Sequence, residues 1–185
     1  VGNVLARKGI DDITLLSIEE EVVDSINNQR LNINYFPNIK LSRNLKATTD
    51  IEILKDADVI FMAIPSTAVV GYLFDKKDYI NPKAIIVNLA KGFGKGDCLI
   101  PNCLVGHFPN TLMMMKGPSF AREIINRQET GFTLACENNE CFGEVADLFE
   151  NTNVRFDYSN DINGVEYASI LKNIYAIIIG MLDAN

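Results

Sequence analysis

Short continuous runs of apolar residues alternate along the chain with stretches whose apolar positions recur at helical spacing. The runs predict strands at Ile13–Leu16, Val59–Ile64 (VIFMAI), Ala84–Asn88 (AIIVN), Thr111–Met115, Phe132–Ala135 and Val154–Tyr158, with a brief one at Ala47–Thr48. Helices are expected at Gly2–Lys8, stopped by Gly9, and at Glu19–Gln29, which has acids in its first turn and Val22, Val23 and Ile26 on its apolar face. Further helices are expected at Ile51–Lys55 behind an Asp50 cap, Ala68–Phe74, Phe120–Asn126 and Cys141–Phe149. Leu31–Leu41, with Asn34, Pro37 and Asn38, reads as a loop. Strands that are apolar throughout, alternating with helices, indicate the α/β class: a doubly wound, mainly parallel sheet covered on both faces. Ligands of such sheets bind beyond the carboxyl ends of the strands, which singles out the loops Ser17–Glu19, Pro65–Ser66, Lys91–Gly94 and Gly117–Ser119.

The last stretch, Gly164–Asn185 (GVEYASILKNIYAIIIGMLDAN), predicts a helix that is apolar on nearly every side. Ile170, Leu171, Ile174, Tyr175, Ile177, Ile178, Met181 and Leu182 leave almost no polar face, and such a helix is ordinarily buried. Lys172 and Asn173 interrupt it. An unpaired ammonium is costly to bury, so Lys172 should be paired, deprotonated or facing a cavity. Ser169 and Glu166 extend a polar stripe towards Asn173. An active-site wall and a structural ion pair between Lys172 and a carboxylate elsewhere account for this pattern equally well. The NDING segment at 160–164 marks the expected boundary between a domain over residues 1–160 and the start of a second over 161–185.

Length allows one domain with a full core, or one domain and the start of another, since the chain has 185 residues. A formal charge of −7, a pI of about 4.7 and the lack of a basic cluster argue against nucleic acid or a membrane surface as partner. The longest apolar run, Ile174–Leu182, falls well short of the roughly 20 residues that span a bilayer, and no secretory leader pattern is present. Cys98, Cys103, Cys136 and Cys141 lack the CxxC spacing of zinc sites, and His107 is the sole histidine, so reduced thiols and no metal are expected. The chain begins at Val1 inside an expected helix and stops in or just after another, as a portion of a longer protein would.

Chemistry concentrates at the strand ends. Lys91 follows a buried strand and is followed by Gly92 and Gly94; glycines let backbone approach a ligand, and the lysine offers a cation to phosphate. A plain surface turn explains the same residues. Gly117-Pro118-Ser119 precedes a helix whose N–H groups could hold an anion, or Ser119 simply caps it. Glu19, at the end of the second strand of such a fold, is where dinucleotide-binding sheets carry the acid that bonds the adenine ribose; it also suits a helix N-terminus. Gly2 has the position of the last glycine of a G-x-G-x-x-G phosphate loop.

Four segments, in order and covering essentially the whole chain, resemble the NAD(P)-dependent glycerol-3-phosphate dehydrogenases of bacterial type. They are INNQRLNINYFPNIKLSRNLKATTD at Ile26–Asp50, NLAKGFG at Asn88–Gly94, KGPSFAREI at Lys116–Ile124 and GVEYASILKNIYAIIIGML at Gly164–Leu182. The resemblance implies a Rossmann-like domain followed by the first helix of an all-α domain. It implies reversible reduction of dihydroxyacetone phosphate to sn-glycerol 3-phosphate with NAD(P)H, feeding phospholipid synthesis in the cytoplasm, with no metal, and it leaves room for a homodimer. In this resemblance Lys172 matches the catalytic lysine that exchanges a proton with the carbonyl oxygen. Lys91 matches a lysine holding substrate and cofactor, Gly117 and Ser119 match substrate contacts, and Asn173 orients substrate beside Lys172. Gly2, Ser17, Ile18, Glu19, Tyr35 and Ala121 fall on the cofactor side. A desolvated lysine has a lowered pKa and suits general acid catalysis.

Two departures matter. The glycine-rich loop is absent apart from Gly2, and the rest of the helical domain, with its acid and its Arg-Asn pair, is not in the chain; this stretch alone is therefore expected to be inactive. Ile18 stands where many bacterial members have an arginine for the NADP phosphate, so NAD is expected over NADP. A related hydroxyacid dehydrogenase of the same two-domain plan and a non-catalytic nucleotide-binding module remain alternatives.

Overall fold

The structure is a computed structural model that describes residues 1–137 and 139–183, with Asn139, Asn173 and Asp183 described by backbone alone. In chain order the elements are α1 (Gly2–Lys8), β1 (Thr14–Leu16), α2 (Glu20–Gln29), β2 (Lys46–Thr48), β3 (Val59–Met62), α3 (Ser66–Asp75), β4 (Ile85–Asn88) and α4 (Ile100–Leu104). They continue as β5 (Leu112–Lys116), α5 (Ala121–Ile125), β6 (Thr130–Ala135), α6 (Asn139–Ala146), β7 (Val154–Ser159) and α7 (Ile162–Asp183). Short 3-10 turns occupy Ile51–Lys55, Lys77–Tyr79 and Asp147–Phe149. The expected doubly wound α/β order is present. Among the described residues, α4 and the 3-10 turn Lys77–Tyr79 were not foreseen: five and three residues are too few to show a helical period.

The chain divides into two compact units. The first comprises Val1–Ile53, Ser119–Thr130 and Val145–Arg155. Here β1 and β2 pair in parallel, Thr14 opposite Lys46, and Gly9 closes α1 in the left-handed region at φ 96°. Ala6, Val22, Ile26, Leu41, Leu45 and Ala47 form its core, with Ile13, Leu15, Val23 and Ile125 packed against them.

The second unit comprises Leu54–Pro118, Gly131–Glu144 and Phe156–Asn185. The five-stranded sheet has the order β3-β4-β5-β6-β7. β3, β4 and β5 run parallel, Val59 opposite Ile85 and Ile86 opposite Leu112, while β6 is antiparallel to β5, Met114 opposite Ala135. Every residue of β4 and Met113–Lys116 of β5 are buried, as expected of strands covered on both faces. Complete burial of side chains such as Ile86 and Met113 contributes about 1.5–3 kcal/mol each.

Two expectations need correction. The final helix was expected to be buried all round. In α7 the polar Glu166 and Ser169 are buried where it packs on β5, while Leu171, Ile174, Tyr175, Ile177, Ile178, Ile179, Met181 and Leu182 are 44% to 70% exposed. An all-apolar period says that a helix can be enclosed, not what encloses it. By length and composition α7 also suffices to cross a membrane over the 21 residues Ile162–Leu182, a window wider than the apolar run Ile174–Leu182. The second correction concerns cysteines: Cys98 and Cys103, expected as reduced thiols, are joined in a disulfide within the segment after β4. Their sequence spacing says only that they are near neighbours; Cys98 lies just before α4 and Cys103 within it.

Candidate active site

β4 ends in a polar residue that shapes the loop after it. Asn88 is buried, and its Oδ1 accepts the N–H of Ala90 at 3.0 Å while Nδ2 reaches Met114 Sδ at 3.4 Å. The carbonyl of Ala90 accepts a hydrogen bond from Lys116 Nζ. Both polar groups of Ala90's backbone are thus held by side chains, and the next residue is Lys91. Gly92 then turns with φ 131°, and a Cβ there would lie 2.7 Å from Ser66 Oγ, so only glycine lets this loop approach the start of α3. Gly94 N–H donates to the Cys98 carbonyl at 2.9 Å, closing the segment.

Lys116 ends β5 inside the protein, 3% exposed, with its Nζ 2.9 Å from Glu166 Oε2 of α7, itself 0% exposed. The contact is an ion pair by distance. Beyond this contact, neither Glu166 oxygen accepts a hydrogen bond from the described residues. Desolvation opposes charge on each partner and the pairing opposes that effect: Lys116 is pushed below the ordinary lysine value and Glu166 above the ordinary carboxylate value. Lys91 is also lowered, by partial burial first, then by the positive charges of Lys172 and Lys116, and by a hydrogen bond with Lys172. Lys172 is half-buried on α7. Lys91, just beyond the carboxyl end of β4, thus lies near Lys172 of α7 and Lys116 of β5, and Lys116 in turn pairs with Glu166. Adjacent ammonium groups repel, and an anion placed against Lys91 and Lys172 relieves that repulsion.

In the other unit, Glu19 stands at the end of β1 as the N-cap of α2. Its backbone N–H donates to Ser17 Oγ at 3.1 Å, and its carboxylate accepts from Tyr35 Oη at 2.8 Å and Asn34 Nδ2 at 3.1 Å. The hydrogen bond to Glu19, then its charge, raise the Tyr35 phenol above the ordinary tyrosine value. Glu19→Gln is expected to return Tyr35 to that value, read by ultraviolet or NMR titration; an unchanged midpoint would exclude the contact. Ile18 is 93% exposed and Gly2 lies in the first turn of α1.

The family sequence model described as "NAD-dependent glycerol-3-phosphate dehydrogenase N-terminus" matches residues 1–142. The chain belongs to the NAD-dependent glycerol-3-phosphate dehydrogenase family. It is 37% identical to glycerol-3-phosphate dehydrogenase [NAD(P)+] of Leptospira biflexa over 99% of this chain and 56% of that protein. Identity to the Bacillus subtilis protein of the same name is 34%, over 97% of this chain and 54% of that one. A solved glycerol-3-phosphate dehydrogenase of Coxiella burnetii superposes with a TM-score of 0.88 at 29% identity, over 98% of this chain and 56% of that chain. The fold is therefore Rossmann-like, and the chain spans about half the length of the curated relatives it matches.

Against the family expectations, Lys91 and Lys172 are brought together, as are Ser17, Glu19 and Tyr35. Lys91, Gly117 and Lys172 belong to the second unit; Gly2, Ser17, Ile18, Glu19, Tyr35, Ser119 and Ala121 belong to the first. Ser119 is buried and Ala121 is the exposed first residue of α5. Asn173 lies on α7, but its side chain is outside the described residues. Gly117 has a packing reason of its own: a Cβ there would meet the Gly131 carbonyl oxygen at 2.6 Å. Gly117→Ala is expected to cost about 1–3 kcal/mol in denaturant unfolding by forcing β5 and β6 apart; an unshifted midpoint would contradict this. Sequence reasoning assigned no role to Lys116, Glu166 or Asn88. A signal existed, since a lysine and an asparagine each end an otherwise apolar strand, and a buried polar end needs a partner.

Among the described residues, no group of three or more His, Cys, Asp or Glu side chains could hold a metal ion.

Proposed function

We propose that the full-length protein is an oxidoreductase that interconverts dihydroxyacetone phosphate and sn-glycerol 3-phosphate with a nicotinamide cofactor and so feeds phospholipid synthesis. The observation that carries this is Lys172 beside Lys91 at the carboxyl end of β4, in a chain of this family. Two neighbouring cations suit a substrate that brings both a phosphate and a carbonyl oxygen that turns negative. A nicotinamide held here would supply the hydride for the carbonyl carbon. Lys172 donates its ammonium proton to the oxygen as charge grows there, and its amine takes the proton back in the reverse direction. Lys91 holds the anion, Asn173 orients it, and Gly117 and Ser119 complete the substrate contacts.

The residues present fit a dinucleotide. Glu19 offers carboxylate oxygens to ribose hydroxyls and already accepts from two donors, and Ser17, Ile18 and Tyr35 surround it in sequence or by contact. Gly2, Lys91 and Ala121 complete the proposed cofactor set. A carboxylate with the apolar, exposed Ile18 beside it disfavours a ribose phosphate, so NAD is proposed over NADP. Ile18→Arg is expected to raise kcat/KM for NADPH relative to NADH about tenfold, a Coulomb gain of about 1.4 kcal/mol; an unchanged ratio would rule out this position as the discriminator.

Residues 1–160 are proposed as the cofactor-binding domain and 161–185 as the start of a helical substrate domain. The rest of that domain, not lipid, is the proposed cover for the exposed face of α7, because Glu166, Ser169 and Lys172 make one side polar. A cytoplasmic location and a homodimer complete the proposal. NADH oxidation with dihydroxyacetone phosphate tests it: turnover by the full-length protein and none by this chain alone is the expected result. Turnover of a hydroxyacid in its place, or binding of NADH with no turnover, would favour a related dehydrogenase or a binding module.

A further inference from the structure

We propose that Lys116 is a positioning residue that sets Lys91 against Lys172, through its simultaneous contacts with the Ala90 carbonyl and Glu166. The inference rests on the functional reading above for its effect on turnover, but not for its geometry.

Three observations carry it. The residue directly before Lys91 has its N–H held by Asn88 and its carbonyl held by Lys116, so the peptide from which Lys91 projects cannot rotate freely. The same Lys116 ammonium lies 2.9 Å from Glu166, six positions before Lys172 on the same helix. One buried cation therefore joins the loop that carries the first lysine to the helix that carries the second. Lys116 is 3% exposed, so it acts through these two neighbours and not by touching substrate. Finally, a buried ion pair is a poor source of stability, because desolvation offsets most of its attraction. Both groups are pushed towards neutrality here, and Glu166 keeps unfilled acceptor capacity. An apolar strand end would cover this ground more cheaply, so the pair is better explained by the arrangement it fixes.

The test uses the full-length protein with Lys116→Met and the double variant Lys116→Met/Glu166→Gln. Three readouts are taken: kcat and KM for dihydroxyacetone phosphate, the thermal unfolding midpoint, and the yield of a Lys91–Lys172 crosslink with a short difluorodinitrobenzene reagent, located by peptide mass spectrometry. Lys116→Met leaves Glu166 buried and unpaired, so its midpoint falls; the double variant removes that charge and recovers the midpoint. Positioning predicts that the double variant nevertheless keeps a loss of about 10- to 100-fold in kcat, the usual scale for misplaced catalytic groups, and a severalfold loss of crosslink. Recovery of kcat and crosslink together with the midpoint would overturn the proposal and leave Lys116 a structural residue. If Lys116→Met does not fold, the double variant alone decides. If the wild-type protein does not turn over dihydroxyacetone phosphate, the functional reading falls, and the crosslink yield still decides whether Lys116 sets the two lysines.

Discussion

Lys172→Ala in the full-length protein is expected to lower kcat for dihydroxyacetone phosphate reduction by about 10²–10⁴-fold, the range for removing a positioned general acid. Hydride arriving at the carbonyl carbon leaves negative charge on oxygen, and without Lys172 water must supply the proton from an undefined position. KM for NADH should change little, because the residues proposed to hold the cofactor, apart from Lys91, all lie in the first unit. Steady-state kinetics with each substrate varied in turn separates the two effects. Lys91→Ala should act differently. It removes the neighbouring cation that an anionic substrate would meet, so KM for dihydroxyacetone phosphate should rise more than kcat falls. A Lys172→Ala protein with near-wild-type turnover would remove the lysine from the chemistry and return it to the structural ion-pair reading.

Glu166→Ala should destabilise the second unit by about 3–5 kcal/mol, as breaking one side of a buried ion pair does. Glu166 is wholly buried against Lys116, and its loss leaves an ammonium that neither water nor another described carboxylate compensates. Because Lys116 already holds its proton less tightly than an ordinary lysine, the folded variant can relieve the charge by releasing that proton. The sign follows from linkage. With the folded-state value depressed, the unfolded chain binds more protons, so the stability of the variant rises as pH climbs through the folded-state value towards the ordinary lysine value of 10.5. Denaturant unfolding at a series of alkaline pH values should show the deficit shrinking. A deficit independent of pH would mean that the cavity left by the side chain, not the unpaired charge, is responsible.

Much of the fold is legible in the sequence, because strand burial and helix amphipathicity are local consequences of side-chain polarity. The runs at Val59–Ile64 and Ala84–Asn88 contain β3 and β4, and Gly9 and Asp50 end or cap the elements they adjoin. Lys91 and Lys172 stand out for a comparable reason: each is a charge next to, or within, an apolar stretch that must bury it or use it. The family motifs then supply their roles.

Contacts between distant segments are what the sequence could not supply. Nothing local says that Lys116 reaches both Ala90 and Glu166, 26 residues before it in one case and on the last helix in the other. The stripe Glu166–Ser169–Asn173 was visible, and an ion pair was considered only for Lys172 with a carboxylate elsewhere; the pair that forms joins Glu166 to Lys116 at the end of β5. The exposed face of α7 shows the same limit, since apolar periodicity records a capacity for burial and only packing decides which side is covered. Polarity along the chain thus determined the elements and the two lysines most suited to chemistry. Tertiary structure alone decided that a third lysine, Lys116, contacts both the residue before Lys91 and the helix that carries Lys172, because charge pairing inside a low-dielectric core depends on distance in space and not on separation in sequence.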